Sequence, residues 1–330
     1  MLGFPFQILL LIALALVFDF LNGFHDSSNI VATMIASRAL TGRQALTITA
    51  IAELVAPFLF GVAVATTLGN EVLNDSQVKL SVTLAALVAS IVWNIITWWL
   101  GIPSSSSHAL VGGLVGAAVV ESGWGVVKLA GLGKVVLALA ISPLTGLVAG
   151  YLAMKLVLFL ARASSPKINT FFKRAQIITA LALALSHGTN DAQKTMGIIT
   201  LGLVSAGVLP KFQVPLWVIT VCAGAIALGT ATGGWRLIRT LGSKFFKVRP
   251  VHGFTTQVAS ASVILSAAIL GGPVSTTQVV SSAIMGVGSA ERLSKVRWGT
   301  GGQIVIAWLT TIPFAAILAA ALAVVLRRWL

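Results

Sequence analysis

The chain has 330 residues, of which 57% are hydrophobic and only 9% are charged, with a net charge of +14. Because a soluble globular protein carries about 25% charged residues, this composition excludes an ordinary water-soluble domain and indicates a protein embedded in lipid. The basic excess does not indicate a nucleic-acid partner, since the Lys and Arg residues cluster in short gaps between apolar runs, and the single Cys222 excludes an internal disulfide framework.

Apolar runs follow one another along the chain, and most of them reach the length of about 20 residues that is needed to cross a membrane. In chain order they are 5–37, 44–68, 80–100, 104–120, 134–160, 176–205, 213–232, 254–270, 275–290 and 301–326. The stretch 161–175 is polar and basic and contains Pro166. We therefore predict an all-α, multi-pass membrane protein with a first repeat over 1–160, a basic linker over 161–175 and a second repeat over 176–330.

Two kinds of interruption occur in both halves, in the same order. Polar residues interrupt one apolar run at 22–29 and its counterpart at 186–195, and we predict that both helices are broken and unwound there. Gly-Pro sequences at 101–103 and 271–273 interrupt two later regions. The paired motifs lie about 165 to 170 residues apart, and such a spacing of two different motifs indicates an internal duplication.

The distribution of charge predicts how the two repeats are oriented. If the linker 161–175 is cytoplasmic, most Lys and Arg residues fall on the cytoplasmic side only when the halves have inverted topology, in accordance with the positive-inside rule. The N-terminus is then extracellular, and the segments around the Gly-Pro breaks become two re-entrant hairpins. Inverted repeats with broken helices are typical of secondary transporters, whose substrate site lies at the membrane midplane.

Each Gly-Pro break is followed by hydroxyl residues that suit the start of a helix. Proline fits the first helical turn and Ser or Thr fits the N-cap, so a new helix is expected to begin at the tip of each hairpin. The free N–H groups and positive dipole end of such a helix bind anions, and nearby hydroxyls add neutral donors. The expected anion ligands are Ser104, Ser105, Ser106, Ser107, Ser275, Thr276, Thr277 and Gln278.

Carboxylates inside apolar segments are costly to bury, so a functional role is their default interpretation. Asp26 and Asp191 occupy matching positions in the two polar interruptions, where carboxylate, amide, hydroxyl and freed carbonyl oxygens would form a cage suited to sodium. We predict one cation site in each repeat. The expected cation ligands are Asp26, Ser27, Asn29, Thr189, Asn190 and Asp191, with Glu53 as a further candidate.

Proton transfer is the alternative that the titratable residues leave open. The candidates for a proton or gating role are His25, His108, His187 and Lys194, which lie within the polar breaks. The sequence has no zinc-ligand spacing, no phosphate-binding Gly-x-x-x-x-Gly-Lys-Ser/Thr loop and no recognisable nucleophile–base pair. We therefore expect no enzymatic activity, and no cofactor besides transported sodium ions.

The motifs resemble those of the inorganic phosphate transporter (PiT) family, which carries a duplicated Gly-x-Asn-Asp-x-x-Asn signature. The matching sequences are GFHDSSN at 23–29, SHGTNDAQK at 186–194, GIPSSSSHALVGG at 101–113 and GGPVSTTQVVSS at 271–282. The resemblance spans almost the whole chain. It implies a multi-pass symporter of the cell membrane, forming a homodimer, that takes up inorganic phosphate with sodium or protons.

Two positions depart from the family signature. His25 stands in place of the first Asn, and Lys194 stands in place of the second Asn of the second copy. His25 leaves the coupling ion open. The all-oxygen cage favours sodium, and the alternative is a proton-coupled or metal–phosphate symporter on the same fold. Sulfate or another oxyanion is the alternative substrate, because hydroxyls and helix ends bind sulfate as readily as phosphate. A channel is less consistent with separate anion and cation sites.

Overall fold

The computed structural model describes residues 5–74 and 78–327, which form α-helices joined mostly by short turns. The α-helices of the first half are α1 Phe6–Ala36, α2 Gly42–Val55, α3 Ala63–Thr66, α4 Leu80–Leu100, α5 Ser106–Ser122 and α6 Leu129–Leu160. Those of the second half are α7 Ile168–Ser205, α8 Leu216–Thr232, α9 Trp235–Arg239, α10 Pro250–Ile269, α11 Thr276–Glu291 and α12 Trp298–Leu326. The predicted all-α class is confirmed.

The two halves present the same elements in the same order. Each begins with a long helix, α1 or α7, followed by a helix and a short helix that continues into one turn of π-helix, at Thr67–Glu71 or Thr240–Lys244. Two helices separated by a Gly-Pro break come next, and a long helix with an internal proline, Pro143 or Pro313, ends the half. The duplication of motifs in the sequence is thus accompanied by a repeated order of elements.

Four of the described helices, α1, α4, α6 and α12, are long and apolar enough to cross a membrane, and there are up to six spans if two bent pairs each count as one. The bent pairs are Gly42–Phe58 with Ala63–Glu71, at 68°, and Leu216–Thr232 with Trp235–Gly242, at 60°. The predicted run 44–68 is therefore bent rather than straight. Large apolar side chains on α6 and α12, such as Leu144 and Ile317, are more than half exposed. Such faces suit contact with lipid, so the chain is a multi-pass membrane protein.

The predicted unwinding of 22–29 and 186–195 is wrong, because α1 and α7 are continuous α-helices through both stretches. Hydroxyls in these stretches bond to their own helix: those of Ser28 and Thr189 donate to carbonyls three and four residues earlier, at 3.0 and 2.7 Å. This local bonding, together with burial against other helices, lets a helix carry polar side chains without breaking. The freed carbonyl oxygens expected as cation ligands are consequently absent from these two described stretches.

The linker predicted over 161–175 is shorter in the structure, because α7 already begins at Ile168. Phe172 is buried against Phe254 of α10, with ring centroids 5.3 Å apart. This aromatic contact stabilises the basic first turns of α7 as helix, although the sequence there is too polar to resemble part of a membrane helix. The division of the chain into two repeats at this linker stays a prediction.

Helix contacts join the two halves. Helix α5 of the first half packs on α12 of the second, and α11 of the second packs on α6 of the first. Glycines allow these backbones to approach closely: a Cβ atom added at Gly112 would lie 2.6 Å from the carbonyl oxygen of Ile312, and one at Gly146 would lie 2.5 Å from that of Val279. This packing fixes the two helices that begin at the Gly-Pro breaks.

We expect Gly112→Ala to lower the free energy of unfolding by about 1–3 kcal/mol, because the added methyl group would overlap the Ile312 carbonyl. Gly133→Ala in α6 is the matched control, since a Cβ added there meets no neighbouring atom within 4 Å. We expect this control to be neutral or stabilising by up to about 1 kcal/mol. Unfolding curves in detergent micelles measure both variants, and equal effects would contradict the proposed importance of close packing at Gly112.

Candidate functional site

Both Gly-Pro breaks turn in the same way. Gly101 and Gly271 have φ angles of +68° and +71°, a left-handed conformation that glycine adopts without steric cost. The next helix then begins with a serine cap: the hydroxyls of Ser105 and Ser275 accept hydrogen bonds from the backbone N–H three residues later, at 3.1 and 3.3 Å. The predicted helix starts after each break are therefore present, with these two serines as N-caps.

The two breaks contact each other. The hydroxyl of Ser107 donates to the carbonyl of Val274 (3.2 Å), and the side-chain nitrogen of Gln278 lies 3.5 Å from Nδ1 of His108. All four residues are buried. The N-terminal ends of α5 and α11 thus converge at one place inside the protein, where the first backbone N–H groups of each helix have no carbonyl partner within that helix.

Two serines of the first break bond to other helices. The hydroxyl of Ser104 donates to that of Thr97 on α4 (2.8 Å), and the hydroxyl of Ser106 donates to the side-chain oxygen of Asn22 on α1 (2.7 Å). The amide nitrogen of Asn22 has no hydrogen-bond partner among the described residues. Sequence reasoning did not select Asn22 as a site residue, although its position at the start of the first polar interruption was a usable signal.

The hydroxyls of the second break reach carboxylates on α1 and α7. The hydroxyl oxygen of Thr276 lies 3.3 Å from Oδ2 of Asp26 and 3.0 Å from Oδ2 of Asp191. The hydroxyl of Thr277 donates to Oδ1 of Asp26 (2.8 Å), and the amide of Asn29 donates to Thr277 (3.1 Å). The structure therefore brings predicted anion ligands and predicted cation ligands into one cluster, which we call the carboxylate cluster.

Two carboxylates of this cluster share a single hydroxyl proton. Thr276 can donate its one hydrogen to Asp26 or to Asp191, but not to both. Both acidic side chains are at most 1% exposed, so water does not screen their charges. Two ionised carboxylates this close repel each other in a low-dielectric interior, and the pair is stable only with positive charge or a shared proton beside it.

His187 on α7 lies where such charge is needed. Its Nε2 lies 3.3 Å from Oδ2 of Asp191 and 3.8 Å from Oδ2 of Asp26, while its Nδ1 lies 2.7 Å from Oε1 of Glu53. These distances are within the range of ion pairs. They do not have the geometry of hydrogen bonds, since neither ring nitrogen has a hydrogen bond to any described residue. Ligand atoms of Asp26, His187 and Asp191 all lie within 4.8 Å of one another, which is close enough for them to bind one cation.

Further polar residues border the cluster on both sides. Nδ1 of His25 lies 3.0 Å from Oδ1 of Asp26, and its Nε2 lies 3.5 Å from the hydroxyl of Thr97, which connects the cluster to the first break. On the opposite side, Glu53 accepts a hydrogen bond from Thr230 on α8. A continuous series of polar contacts therefore runs from the first break through both helices with acidic residues.

Lys194 is fully buried and pairs with the carboxylate of the second half. Its Nζ lies 2.6 Å from Oδ1 of Asp191 and donates to the carbonyl of Val274 at the second break (3.0 Å). The sequence predicts a proton or gating role for this residue. In the structure its charge lies directly between a predicted cation ligand and the break that the sequence predicts as an anion site.

The remaining predicted cation ligands make other contacts. Ser27 accepts a hydrogen bond from the backbone N–H of Gly234 (3.0 Å) and donates to its own helix, as Thr189 does. The structure does not bring these two hydroxyls into the carboxylate cluster. Asn190 donates to the carbonyl of Gly272 (3.3 Å) at the second break, and its side-chain oxygen has no hydrogen-bond partner among the described residues.

A buried group of carboxylates, imidazoles and hydroxyls surrounded by lipid-facing helices defines a membrane transporter, because polar groups at such depth are costly and mark substrate and ion pathways. The chain belongs to the phosphate transporter family, whose sequence model matches residues 22–319. Relatives in this family are transporters and permeases, so the protein is not an enzyme.

Individual relatives agree with this assignment. The "Probable low-affinity inorganic phosphate transporter" of Rhizobium meliloti (strain 1021) is 46% identical over 312 residues, which cover 94% of this chain and 93% of the relative. A protein of the same description from Bacillus subtilis (strain 168) is 42% identical over 316 residues, covering 94% and 95%. A solved structure described as "The sodium-dependent phosphate transporter" is 27% identical, with a TM-score of 0.88, and the match covers 99% of this chain and 100% of that one. The family expected from the motifs is confirmed.

We expect Thr276→Val to reduce phosphate uptake by about five- to a hundredfold, because removing the shared hydroxyl leaves a buried carboxylate oxygen unsatisfied, at about 1–3 kcal/mol. Thr311→Val is the matched control: Thr311 is fully buried, and its hydroxyl donates only to Ala307 of its own helix (2.6 Å) among the described residues. Uptake of labelled phosphate into proteoliposomes compares the two. Similar uptake by both variants would contradict a specific role for the Thr276 hydroxyl.

Proposed function

We propose that this chain is a secondary active symporter that takes up inorganic phosphate coupled to sodium ions. Phosphate would lie where the N-terminal ends of α5 and α11 converge. Its donors would be the backbone N–H groups there and the side chains of Ser104, Ser105, Ser106, Ser107, Ser275, Thr276, Thr277 and Gln278. Sodium would bind beside it, at the carboxylate cluster formed by Asp26 and Asp191.

The observation that carries this proposal is the position of Thr276, which would belong to both proposed sites. Thr276 is the first residue of α11, where the helix end favours an anion, and its hydroxyl lies between the two carboxylates, which favour a cation. An anion and a cation bound on the two sides of Thr276 would stabilise each other. The assignment to the phosphate transporter family supports the anion, and the structural similarity to a protein described as sodium-dependent supports the cation.

Coupling also has a thermodynamic reason. Phosphate that moves alone into a cell carries negative charge against a potential that is negative inside, at about 2.3 kcal/mol per charge per 100 mV. A cation bound in the same cycle cancels part of this charge. Binding both ions next to each other then makes occupation of either site depend on the other, which is the requirement for coupled transport.

We further propose that the two halves are inverted repeats and that α4–α5 and α10–α11 are re-entrant hairpins. The two breaks have the same left-handed turn and the same serine cap, and they meet tip to tip, as hairpins that enter from opposite sides would. In this orientation the linker 161–175 is cytoplasmic and the N-terminus is extracellular, although residues 1–4 lie outside the described residues. A homodimer, which the family resemblance implies, is part of the same proposal.

Proton coupling is the second candidate, and the position of His187 favours it. An imidazole between the carboxylates of Glu53, Asp26 and Asp191 could take a proton from any of them and return it during each cycle. His25 beside Asp26 strengthens this alternative. Experiments on the reconstituted protein distinguish sodium coupling from proton coupling, because a sodium gradient or a proton gradient can be imposed while the other is absent.

We expect an inward sodium gradient to drive uptake of labelled phosphate by proteoliposomes, and Asp26→Asn to reduce the sodium-stimulated part at least about tenfold, because the variant removes the formal charge that binds the ion. Glu121→Gln is the matched control: this residue lies in the last turn of α5, at the opposite end from the break, and pairs with Lys79 (2.7 Å). If wild-type uptake follows a pH gradient and does not depend on sodium, the coupling ion is the proton and the proposed sodium coupling is wrong. Loss of uptake in the control as well would show a general effect of lost negative charge.

The substrate is tested by competition. Arsenate has the shape and protonation of phosphate, whereas sulfate has no proton to donate at neutral pH. We expect arsenate to inhibit the uptake of labelled phosphate. Sulfate at equal concentration is expected to change this uptake by no more than about twofold. Equal inhibition by sulfate would show that the site selects oxyanions in general.

A further inference from the structure

The two copies of the signature differ at their last position. When Gly23 is aligned with Gly188, Asp26 matches Asp191 and Asn29 matches Lys194. Each of the latter residues lies three positions after its carboxylate on a continuous helix, so the two side chains share one helix face. The first half therefore places a neutral amide beside its carboxylate, where the second half places an ammonium group.

The site of the first half, around Asp26 and Asn29, lacks a fixed positive charge. Among the described residues, the side chains that contact the Asp26 carboxylate are the hydroxyls of Thr276 and Thr277 and the imidazoles of His25 and His187. None of these groups is permanently charged. The side-chain oxygen of Asn29 is buried and has no hydrogen-bond partner in the described part of the chain. A carboxylate with an unpartnered buried oxygen beside it is available to a cation.

The site of the second half already contains its cation. The ammonium of Lys194 lies 2.6 Å from Oδ1 of Asp191 and 3.0 Å from the carbonyl oxygen of Val274, in a fully buried position. A metal ion with oxygen ligands would occupy the same kind of place, between a carboxylate and a carbonyl at a helix break. Because Lys194 is part of α7, its charge stays with the protein when the cargo leaves.

Given the symport function proposed above, we propose that Lys194 permanently replaces the coupling cation of the second half. Of the two carboxylates at which the proposed function places the cation, only Asp26, together with Asn29, then binds the transported ion, because Lys194 already pairs with Asp191. The protein carries one coupling cation fewer per phosphate than it would with a neutral residue at position 194. This sets the energetics of uptake, because each cotransported cation multiplies the phosphate gradient that a given cation gradient can sustain and adds one charge to the transport cycle.

The number of cations per phosphate is measured on the full chain in proteoliposomes, as the phosphate gradient that balances an imposed cation gradient at zero net flux. The membrane potential is held at zero with potassium and valinomycin, and sodium and proton gradients are varied in turn. Lys194→Asn gives the second half the residue of the first. The imposed gradient is a tenfold gradient of the cation that the wild type uses. At zero net flux, we expect the phosphate gradient that balances it to be about tenfold larger for Lys194→Asn than for the wild type.

Two more variants complete the comparison. Asn29→Lys places an ammonium beside Asp26, and we expect its balancing phosphate gradient to be about tenfold smaller than that of the wild type. Lys194→Arg keeps the positive charge and is expected to retain the wild-type cation number. In detergent, the unfolding temperature of Lys194→Asn should rise with the concentration of the coupling ion more steeply than that of the wild type, because the variant has a second site for this ion to fill.

An unchanged cation number in Lys194→Asn would overturn the proposal. A raised KM for phosphate with the cation number unchanged would also overturn it, and would identify Lys194 as a phosphate ligand. If Lys194→Asn does not fold, Asn29→Lys decides, and a wild-type cation number in that variant overturns the proposal. A failure of the symport function itself is distinguishable, since wild-type phosphate distribution would then be independent of both gradients.

Discussion

The rest of the structure depends on two carboxylates, Asp26 and Asp191, that lie buried side by side inside a protein whose outer surface suits lipid. Neither water nor lipid can stabilise their charges, so the protein must surround them with donors. It does so with one hydroxyl shared between them, with imidazoles, and with the buried ammonium of Lys194. In the proposed symport, this incomplete compensation is the physical basis for coupling, because a bound cation would add the positive charge that the two carboxylates lack.

Continuous helices and helix breaks have different roles in supporting this pair of carboxylates. Helices α1 and α7 stay continuous and hold the acidic residues at fixed positions, while the Gly-Pro tips that contact them have a broken backbone. A rigid helix provides side-chain ligands, and a break provides free N–H groups and carbonyls; neither alone would provide both. Contact of the tips with α1 and α7 through Thr276, Thr277 and Ser106 brings the proposed anion site within a few ångströms of the proposed cation site.

The two halves are alike in the order of their elements but not in their chemistry. His25 of the first half corresponds to Asn190 of the second, and Asn29 corresponds to Lys194. Titratable imidazole thus lies beside one carboxylate and a permanent charge beside the other. A duplicated fold can therefore keep its shape while the two sites diverge, because the helix packing depends on small residues such as Gly112 and Gly146 rather than on the charged ones.

The sequence by itself determined the membrane environment, the recurring order of elements and the serine-capped helix starts, and it selected most of the polar residues that the structure brings together. Apolar runs, Gly-Pro breaks and intramembrane carboxylates each have a direct physical cost that leaves few alternatives. The sequence did not determine which interruptions are real breaks: local hydroxyl bonding keeps 22–29 and 186–195 helical, and a polar run alone does not reveal that bonding. Only the tertiary structure brought Asn22 to the first break, placed His187 among three carboxylates and joined Lys194 to Asp191 and Val274. Such contacts depend on the relative positions of helices far apart in the chain, about which a linear pattern of residues holds no direct information.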